Sequence, residues 1–315
     1  MGWLDEGDAQ PRGNAVAGVH VAITGANSAV GTALLTQLVA LDDMHAVAAV
    51  RHQKSLAGLP RAPHITTSVI SYDRPDSLSA ALFGAGCVIH LAGILFESQT
   101  SDYQTANVGT TRALVEASTA AGVDHIVFIS SLGADPSSPN GYFRSKGEAE
   151  RVVGDSGIDA TIVRTPLLLG RDTAGGRALM RVASQKSVRV LGGGSHSLRP
   201  LDVDDLCRAI IRCCRRPVAG VTIHELVGPT TITYRELLQR TGRLLDHDLS
   251  IDTMPVWLAK LGAAAASTVR TGGMTPAVID VITSDEAVDH NAASDLDLSL
   301  TPLSNTLAKL MGRES

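Results

Sequence analysis

The stretch Val19-His20-Val21-Ala22-Ile23-Thr24-Gly25-Ala26-Asn27-Ser28-Ala29-Val30-Gly31 decides the fold of this chain, because a strand pattern changes to a helix pattern within it. Val19, Val21 and Ile23 predict a buried first strand. The apolar run at residues 32–41 predicts a helix directly after the turn. The stretch is therefore typical of the strand, turn and helix that open an α/β domain.

Two glycines shape the turn in this stretch. Gly25 allows a bend that a Cβ would obstruct, and Gly31 lets the helix pack closely on the strand. Ser28 replaces the middle glycine of a G-x-x-G-x-x-G turn, which leaves less room for backbone approach and adds a hydroxyl. A helix N-terminus behind such a turn binds phosphate. The turn predicts a dinucleotide ligand, and an ordinary βα turn is the alternative.

The composition indicates a globular α/β protein. The chain has 315 residues, of which 44% are hydrophobic, enough for a large core. Its net charge is −5, from 27 basic and 32 acidic residues, and no Lys/Arg cluster is interleaved with aromatics. We therefore expect a small-molecule substrate and no nucleic-acid partner.

Cysteine usage and the N-terminal residues indicate a reducing, cytoplasmic setting. The four cysteines form no C-x-x-C pair, and Cys207, Cys213 and Cys214 share one apolar helical run, which favours packing in a core. Acidic residues precede the first apolar run, which argues against a secretory signal. We expect residues 1–17 to be a short disordered leader.

A late apolar segment, residues 256–269, bears on membrane and partner contacts. It is interrupted by Lys260 and is too short to span a bilayer, so no transmembrane segment is predicted. The segment is either a buried or half-buried helix of a second domain or an apolar surface for a partner protein. A homodimer also stays open.

Strands and helices alternate along the first half of the chain. Five further strands are predicted, at residues 46–50, 65–70, 87–91, 125–129 and 160–163. Together with the helices between them, they predict a doubly wound parallel sheet of the Rossmann type over residues 18–166. Beyond Pro166 the alternation is lost. Residues 167–315 predict a smaller C-terminal substrate lobe, partly interleaved with the sheet and lying over its carboxyl edge.

The end of the fifth strand and the next helix carry residues suited to proton transfer. Ser131 stands at the strand end, where its hydroxyl can bind a substrate carbonyl oxygen. Tyr142 and Lys146 lie one helical turn apart, so we expect the ammonium to lower the pKa of the phenol from about 10. We interpret these three as candidate catalytic residues, with surface placement of the Tyr-x-x-x-Lys pair as the alternative, and predict no metal site.

With these motifs together, the chain resembles the short-chain dehydrogenase/reductase superfamily, in particular its extended and atypical NAD(P)-binding branches. The resemblance covers nearly the whole chain. Its elements are Thr24 to Gly31, Asp73, Val88 to Gly93, Asn107 to Thr110, Ile129 to Ser131, Tyr142 to Lys146, and Arg164 to Gly170. It implies a Rossmann fold that holds a nicotinamide dinucleotide and acts on a carbonyl or hydroxyl carbon.

The resemblance also implies a role for each matching position. Residues of the first turn border the pyrophosphate, namely Gly25, Asn27, Ser28, Ala29, Val30 and Gly31. The remaining cofactor contacts come from strand ends and the fourth helix, namely Asp73 at the adenine, Leu91, Ala92 and Gly93 at the adenosine ribose, Tyr142, Lys146, Thr165 and Pro166. Asn107 is structural or a member of a proton relay. His90 is interpreted as a strand residue without chemistry, and Asp204 and Asp205 as helix caps rather than catalytic acids.

The choice of cofactor depends on the end of the second strand. An acidic residue there would bind the NAD ribose 2′-hydroxyl, whereas a basic one would pair with a 2′-phosphate. This chain has Arg51, with Lys54 three residues further on. The sequence therefore predicts NADP(H), with NAD(H) less favoured.

Two functional hypotheses stay open. The first is an NADP(H)-dependent reductase, dehydrogenase or epimerase. Residues 199–205 and 225–237 also look like the subgroup that contains the 39-kDa accessory subunit of respiratory complex I. Some members of that subgroup hold NADPH as a structural ligand, so the second hypothesis is a non-catalytic nucleotide-binding protein of a larger complex.

Overall fold

Seven parallel strands form the central sheet of the structure, a computed structural model that describes residues 18–267 and 273–313. Numbered along the chain, the strands are β1 (Val19–Thr24), β2 (Met44–Val50), β3 (Ile65–Val69), β4 (Cys87–His90), β5 (His125–Ser131), β6 (Asp159–Thr165) and β11 (Val221–Glu225). Their order is β11-β6-β5-β4-β1-β2-β3, so the winding direction reverses between β1 and β4. Ligands of open α/β sheets bind at such a reversal, beyond the carboxyl ends of the strands.

Side chains of the strands alternate between the two faces of the sheet, and helices cover both. The covering helices are α1 (Ala29–Leu38), α2 (Pro75–Leu82), α3 (Thr110–Ala121), α4 (Gly141–Gly154) and α6 (Val203–Arg215). Val21 and Ile23 share a buried cluster with Leu34 of α1 and Ile210 of α6. Ala22 faces the other way, into the cluster formed with α2 and α3. Burial on both faces explains why the strands are almost continuously apolar.

The remaining elements form a smaller lobe. Its strands are β7 (Leu168–Leu169), β8 (Ser187–Leu191), β9 (Ser197–Leu198), β10 (Leu201–Asp202), β12 (Ile232–Thr233) and β13 (Ser250–Met254). Its helices are α5 (Ala174–Ala183), α7 (Tyr234–Leu244), α8 (Val256–Ser267), α9 (Pro276–Ile282) and α10 (Leu303–Leu310). The strands pair as β7 with β10, β8 with β13, and β9 with β12. Leu179, Leu237 and Leu307 place α5, α7 and α10 in one core.

The predicted doubly wound sheet is confirmed, and β11 adds a seventh strand beside β6. The domain boundary after Pro166 stays a prediction. β11 follows that boundary in the chain but belongs to the central sheet. A π-helical turn at Gln104–Gly109 leads directly into α3, while β13 and α9 were not predicted from the sequence. All four cysteines are buried and free, as expected. The expected leader, residues 1–17, lies outside the described residues.

Candidate functional site

The turn between β1 and α1 requires glycine at two positions. Gly25 has a φ of +76°, and a Cβ there would lie 3.1 Å from the Ala92 amide nitrogen. At Gly31 a Cβ would lie 2.5 Å from the Ala26 carbonyl oxygen, closer than real Cβ atoms approach. A side chain at either glycine would therefore displace the turn from the end of β4 or from its own backbone.

The first turn of α1 offers backbone donors to an anion. Ser28 is the N-cap, and its hydroxyl accepts a hydrogen bond from the Gly31 amide at 3.0 Å. Within the described part of the chain, the Ala29 and Val30 amides have no acceptor. Free amides at the positive end of a helix dipole fit pyrophosphate oxygens. The hydroxyl that Ser28 adds to the turn therefore accepts a hydrogen bond within α1.

Arg51 and Asp73 extend the same edge of the sheet beyond β2 and β3. Both side chains are exposed. The charge of Arg51 acts to lower the pKa of Tyr72, although burial raises that pKa overall. A cation is thus present beyond the end of β2, where the adenosine ribose of a dinucleotide would lie.

The segment after β4 is held by Asn107. Its side-chain oxygen accepts a hydrogen bond from the Ile94 amide at 2.7 Å, and its Nδ2 donates to Ser145 Oγ of α4 at 2.9 Å. A Cβ at Gly93 would lie 3.1 Å from the same Asn107 oxygen. These contacts hold Ile94 against α4, and both roles predicted for Asn107, structural or in a proton relay, stay predictions.

His90 is fully buried in β4. Its Nδ1 lies 2.7 Å from Thr24 Oγ1 and its Nε2 lies 3.2 Å from Thr111 Oγ1. Burial, helped by the charge of Lys146, lowers the pKa of His90 to about 3. The ring is therefore neutral and bonded on both nitrogens, in agreement with its interpretation as a structural residue.

Ser131 and Tyr142 meet at the carboxyl end of β5. Asn140 caps α4 by accepting a hydrogen bond from the Tyr142 amide at 3.0 Å, which fixes the start of the helix. Burial raises the pKa of the Tyr142 phenol, and the neighbouring Ser131 side chain acts in the opposite direction. The Ser131 hydroxyl itself donates to the Leu132 carbonyl oxygen at 3.0 Å. The Tyr103 ring lies 5.9 Å from the Tyr142 ring, edge to face. The expected lowering of the Tyr142 pKa by Lys146 is wrong for this geometry, because desolvation raises that pKa and the opposing contribution comes from Ser131 rather than Lys146.

Lys146 extends beneath the sheet edge rather than into solvent. Its Nζ donates to the Ile129 carbonyl oxygen at 2.8 Å and lies 4.4 Å from the centre of the Phe128 ring. Burial lowers the pKa of Lys146 to about 8, while the charge of Glu150 raises it. The ammonium is thus held by strand β5, one helical turn from Tyr142.

Thr165 and Pro166 end β6 on the other side of β5. Thr165 Oγ1 donates to the Ser130 carbonyl oxygen at 3.1 Å. The next amide, that of Leu167, donates to the Glu286 carboxylate at 2.6 Å. Burial raises the pKa of Glu286 to about 7. Sequence reasoning missed Glu286, since 119 positions separate it from Leu167 and no local pattern connects them.

A separate cavity of about 500 Å³ lies between α1 and the lobe, and Tyr142 is not part of its lining. Three of its charges are paired with one another, since Lys309 donates to Asp202 at 3.2 Å and to Asp204 at 2.7 Å. Asp202 also caps α6 by accepting from the Asp204 amide at 2.9 Å. The sequence expectation that Asp204 and Asp205 are the caps is therefore wrong, because both lie in the first helical turn.

Comparison with known protein families identifies the nucleotide-binding fold. A family model described as NAD(P)H-binding matches residues 25–197, more than half of the chain. This chain belongs to the NAD(P)H-binding family. The match begins at Gly25 of the first turn and includes Tyr142 and Lys146 of α4. The family description covers NADH and NADPH alike.

Curated relatives of this NAD(P)H-binding protein include respiratory subunits and a reductase. The chain is 26% identical over 311 residues to an Arabidopsis thaliana mitochondrial protein named NADH dehydrogenase [ubiquinone] 1 alpha subcomplex subunit 9, with 92% of this chain and 76% of the relative covered. It is 27% identical over 171 residues to the ceramide reductase of Caulobacter vibrioides, a match that covers 54% of each chain.

Solved structures share the fold of this NAD(P)H-binding chain at low sequence identity. A UDP-glucuronic acid 4-epimerase from Bacillus cereus, solved with UDP-glucuronic acid and NAD, superposes with a TM-score of 0.73 at 17% identity, covering 93% of this chain and 98% of that one. A dTDP-glucose 4,6-dehydratase from Streptomyces venezuelae, solved with NAD, gives a TM-score of 0.71 at 18% identity, covering 93% and 96%. At such identities the likeness concerns the fold.

The described residues contain neither a membrane-spanning helix nor a cluster of metal ligands. Within residues 18–267 and 273–313, no helix has the length and apolar character needed to cross a membrane. In the same part of the chain, no group of three or more His, Cys, Asp or Glu side chains is arranged to hold a metal ion.

Proposed function

We propose that this protein is an NADP(H)-dependent reductase, dehydrogenase or epimerase that acts on a carbonyl or hydroxyl carbon. The observation that carries the proposal is the meeting of Ser131 and Tyr142 at the end of β5, with the Lys146 ammonium buried one helical turn away. Ser131 is the last residue of β5 and Tyr142 lies in the first turn of α4, at the carboxyl end of the strands where an open α/β sheet binds its ligand.

The proposed roles follow from the protonation states. Because burial raises the pKa of Tyr142, its phenol carries a proton at neutral pH and can donate it to a developing alkoxide. Ser131 would orient the carbonyl oxygen toward that proton. Lys146 places a positive charge one helical turn from Tyr142 and is proposed to stabilise the phenolate left after the transfer, although this charge does not lower the Tyr142 pKa in the resting protein. When bound, the nicotinamide supplies or accepts the hydride.

The preference for NADPH over NADH rests on Arg51. The guanidinium is exposed at the end of β2, and its field reaches Tyr72. A guanidinium binds a phosphate by two parallel hydrogen bonds, which a 2′-hydroxyl does not offer. Lys54 is exposed nearby in the chain and would add to the attraction.

The direct test is fluorescence titration with NADPH and NADH, followed by a panel of carbonyl substrates. Tyr142→Phe should lose turnover by at least about a hundredfold while nucleotide affinity stays unchanged, because only the transferable proton is removed. Tyr103→Phe is the matched control, since that hydroxyl donates to the Leu95 carbonyl oxygen at 2.8 Å. Equal turnover in wild type and Tyr142→Phe would refute the catalytic assignment.

A second candidate function is a non-catalytic NAD(P)H-binding subunit of a larger assembly. It is favoured by α8, where Trp257, Leu258 and Leu261 are 65%, 51% and 61% exposed. Exposed apolar side chains on one helix are typical of a protein contact surface. The sequence analysis predicted such a partner surface as one alternative for residues 256–269. The last residue of that segment, Val269, lies outside the described residues. The similarity to the Arabidopsis respiratory subunit supports the same idea.

The two candidates differ in what purification of the native protein yields. The assembly proposal expects a stable partner on co-purification and no cofactor oxidation with any carbonyl of the panel. A homodimer through α8 would instead give a single species of twice the chain mass. An active, monodisperse monomer would contradict the assembly proposal. The cytoplasmic location expected from the sequence belongs to the enzyme proposal and is tested by fractionation.

A further inference from the structure

A segment of the C-terminal lobe, residues 273–286, spans the two sides of the candidate site; we call it the strap. At one side, Asn140 Nδ2 donates to the carbonyl oxygen of Ala277 at 2.9 Å, while Asn140 Oδ1 accepts from the Tyr142 amide at 3.0 Å. One side chain thus joins α9 of the strap to the start of the Tyr142 helix. Val278 and Ile279 of the strap are buried, so the strap packs on the protein along its apolar side.

The other side of the strap is held by Glu286. One carboxylate oxygen accepts from the Leu167 amide at 2.6 Å, and the other accepts from the Arg199 amide at 2.7 Å. The Glu286 amide donates to the Ser197 carbonyl oxygen at 2.8 Å. Three contacts at a single residue therefore connect the strap to the start of β7, to β9 and to the loop before β10.

The hydrogen bond from the Leu167 amide to the Glu286 carboxylate is important because Leu167 directly follows Pro166. Pro166 has no amide hydrogen, so the Leu167 amide is the first donor after β6. Leu167 is also tied to Leu201, whose amide donates to the Leu167 carbonyl oxygen at 3.0 Å. The backbone of Leu167 is thereby fixed from both sides, and Pro166 with it.

We propose that Glu286 is a positioning residue that latches the strap, which Asn140 joins to the start of α4, onto Leu167, and so fixes the Thr165 to Leu167 segment for the cofactor. This role rests on the proposed function for its effect on nucleotide binding. The latch itself is a property of the protein without nucleotide. A glutamine at position 286 cannot accept both hydrogen bonds, since its side-chain nitrogen would face the amide of either Leu167 or Arg199.

The ionisation of Glu286 gives the latch a pH dependence. Burial raises the pKa of Glu286 to about 7, and opening would return the carboxyl to its ordinary value of 4.5. The closed strap then holds the proton more tightly than the open strap, so raising the pH favours opening. The groups around Glu286 are Asp285, which accepts from the Ser197 amide, His196, whose pKa is lowered by burial, and Arg199, whose guanidinium donates to Gly228.

Amide hydrogen exchange on the full chain tests the latch. Between pH 6 and pH 8, after correction for the intrinsic exchange rate, opening at the Leu167 amide should rise about tenfold in the wild type. Glu286→Gln should abolish this rise and speed exchange at Leu167 or Arg199 about tenfold at pH 6, because one amide loses its acceptor. Asp285→Asn is the matched control and should keep the pH dependence. A flat wild-type profile, or an unchanged slope in Glu286→Gln, would overturn the latch.

Nucleotide titration tests the positioning role separately. Glu286→Gln should weaken NADPH binding about tenfold, and Asp285→Asn should not. Equal affinity of wild type and Glu286→Gln would overturn the positioning role. If the wild type binds neither NADPH nor NADH, the proposed function fails and the positioning role with it, while the exchange data still decide whether Glu286 latches the strap.

Discussion

The strongest prediction concerns His90, whose buried neutral ring makes the stability of the fold depend on pH. The Thr111 hydroxyl donates to the Asn107 carbonyl oxygen at 2.6 Å, so His90 Nε2 must donate to Thr111 while Nδ1 accepts from Thr24. Protonation would break this pattern inside the core. The folded protein binds the proton only near the lowered pKa of about 3, whereas the unfolded chain binds it near the ordinary value of 6.5.

The sign and size of the effect follow from these two values. Between pH 6.5 and pH 3 the unfolded state holds more protons at this site, so stability is lost as the pH falls. The free energy of unfolding changes by about 1.4 kcal/mol per unit of pH. The titration of His90 should therefore lower it by about 2 kcal/mol between pH 6.5 and pH 5. His90→Gln keeps one donor and one acceptor for the two threonines but cannot titrate.

Denaturant unfolding of both proteins at pH 6.5 and pH 5 measures the effect. The quantity of interest is the loss of unfolding free energy in wild type minus the loss in His90→Gln, because this difference cancels contributions from other groups. It should be about 2 kcal/mol. His20→Gln, at an exposed histidine of β1, serves as control and should behave as wild type. A difference near zero between wild type and His90→Gln would refute the reasoning.

Two further predictions concern the nucleotide site. Gly31→Ala should lower the free energy of unfolding by about 1–3 kcal/mol and weaken NADPH binding, since the new Cβ would lie 2.5 Å from the Ala26 carbonyl oxygen; a denaturant midpoint equal to wild type would contradict it. Arg51→Ala should weaken NADPH binding about tenfold and leave NADH binding unchanged, as titration of both nucleotides would show. Lys54→Ala is the comparison for a general loss of positive charge. If Arg51→Ala weakened the binding of NADPH and NADH equally, recognition of the 2′-phosphate by Arg51 would be excluded.

The sequence predicts most of the sheet because its signals are local. Each buried strand is a short apolar run bounded by turn residues, and the βα alternation sets a parallel topology. Gly25 and Gly31 were recognisable for the same reason, since their spacing marks a turn that other residues cannot adopt. The strap was not predictable in this way. Glu286 contacts Leu167 across 119 positions, and α9 has only seven residues.

The candidate site shows a second limit of local reasoning. The spacing of Tyr142 and Lys146 correctly places both on α4, but the direction of the Tyr142 pKa shift depends on burial by other elements. Ser28 is similar: its hydroxyl was evident, yet only the backbone geometry shows that it caps α1. Desolvation and capping are properties of the folded chain, so residue types at a given spacing do not determine them.

The buried polar groups at the ends of β5 and β6 carry a desolvation cost that the proposed function would explain. Lys146 is buried with one carbonyl acceptor, that of Ile129, and its pKa is lowered to about 8. Tyr142 and Glu286 are also shifted by burial, and they flank the ends of β5 and β6. A methionine in place of Lys146 would pack beside Phe128 without the desolvation penalty of an ammonium. That exchange would remove the ammonium, which the proposed function uses as a cofactor contact and as the charge beside Tyr142. Groups shifted in this way are concentrated where chemistry occurs.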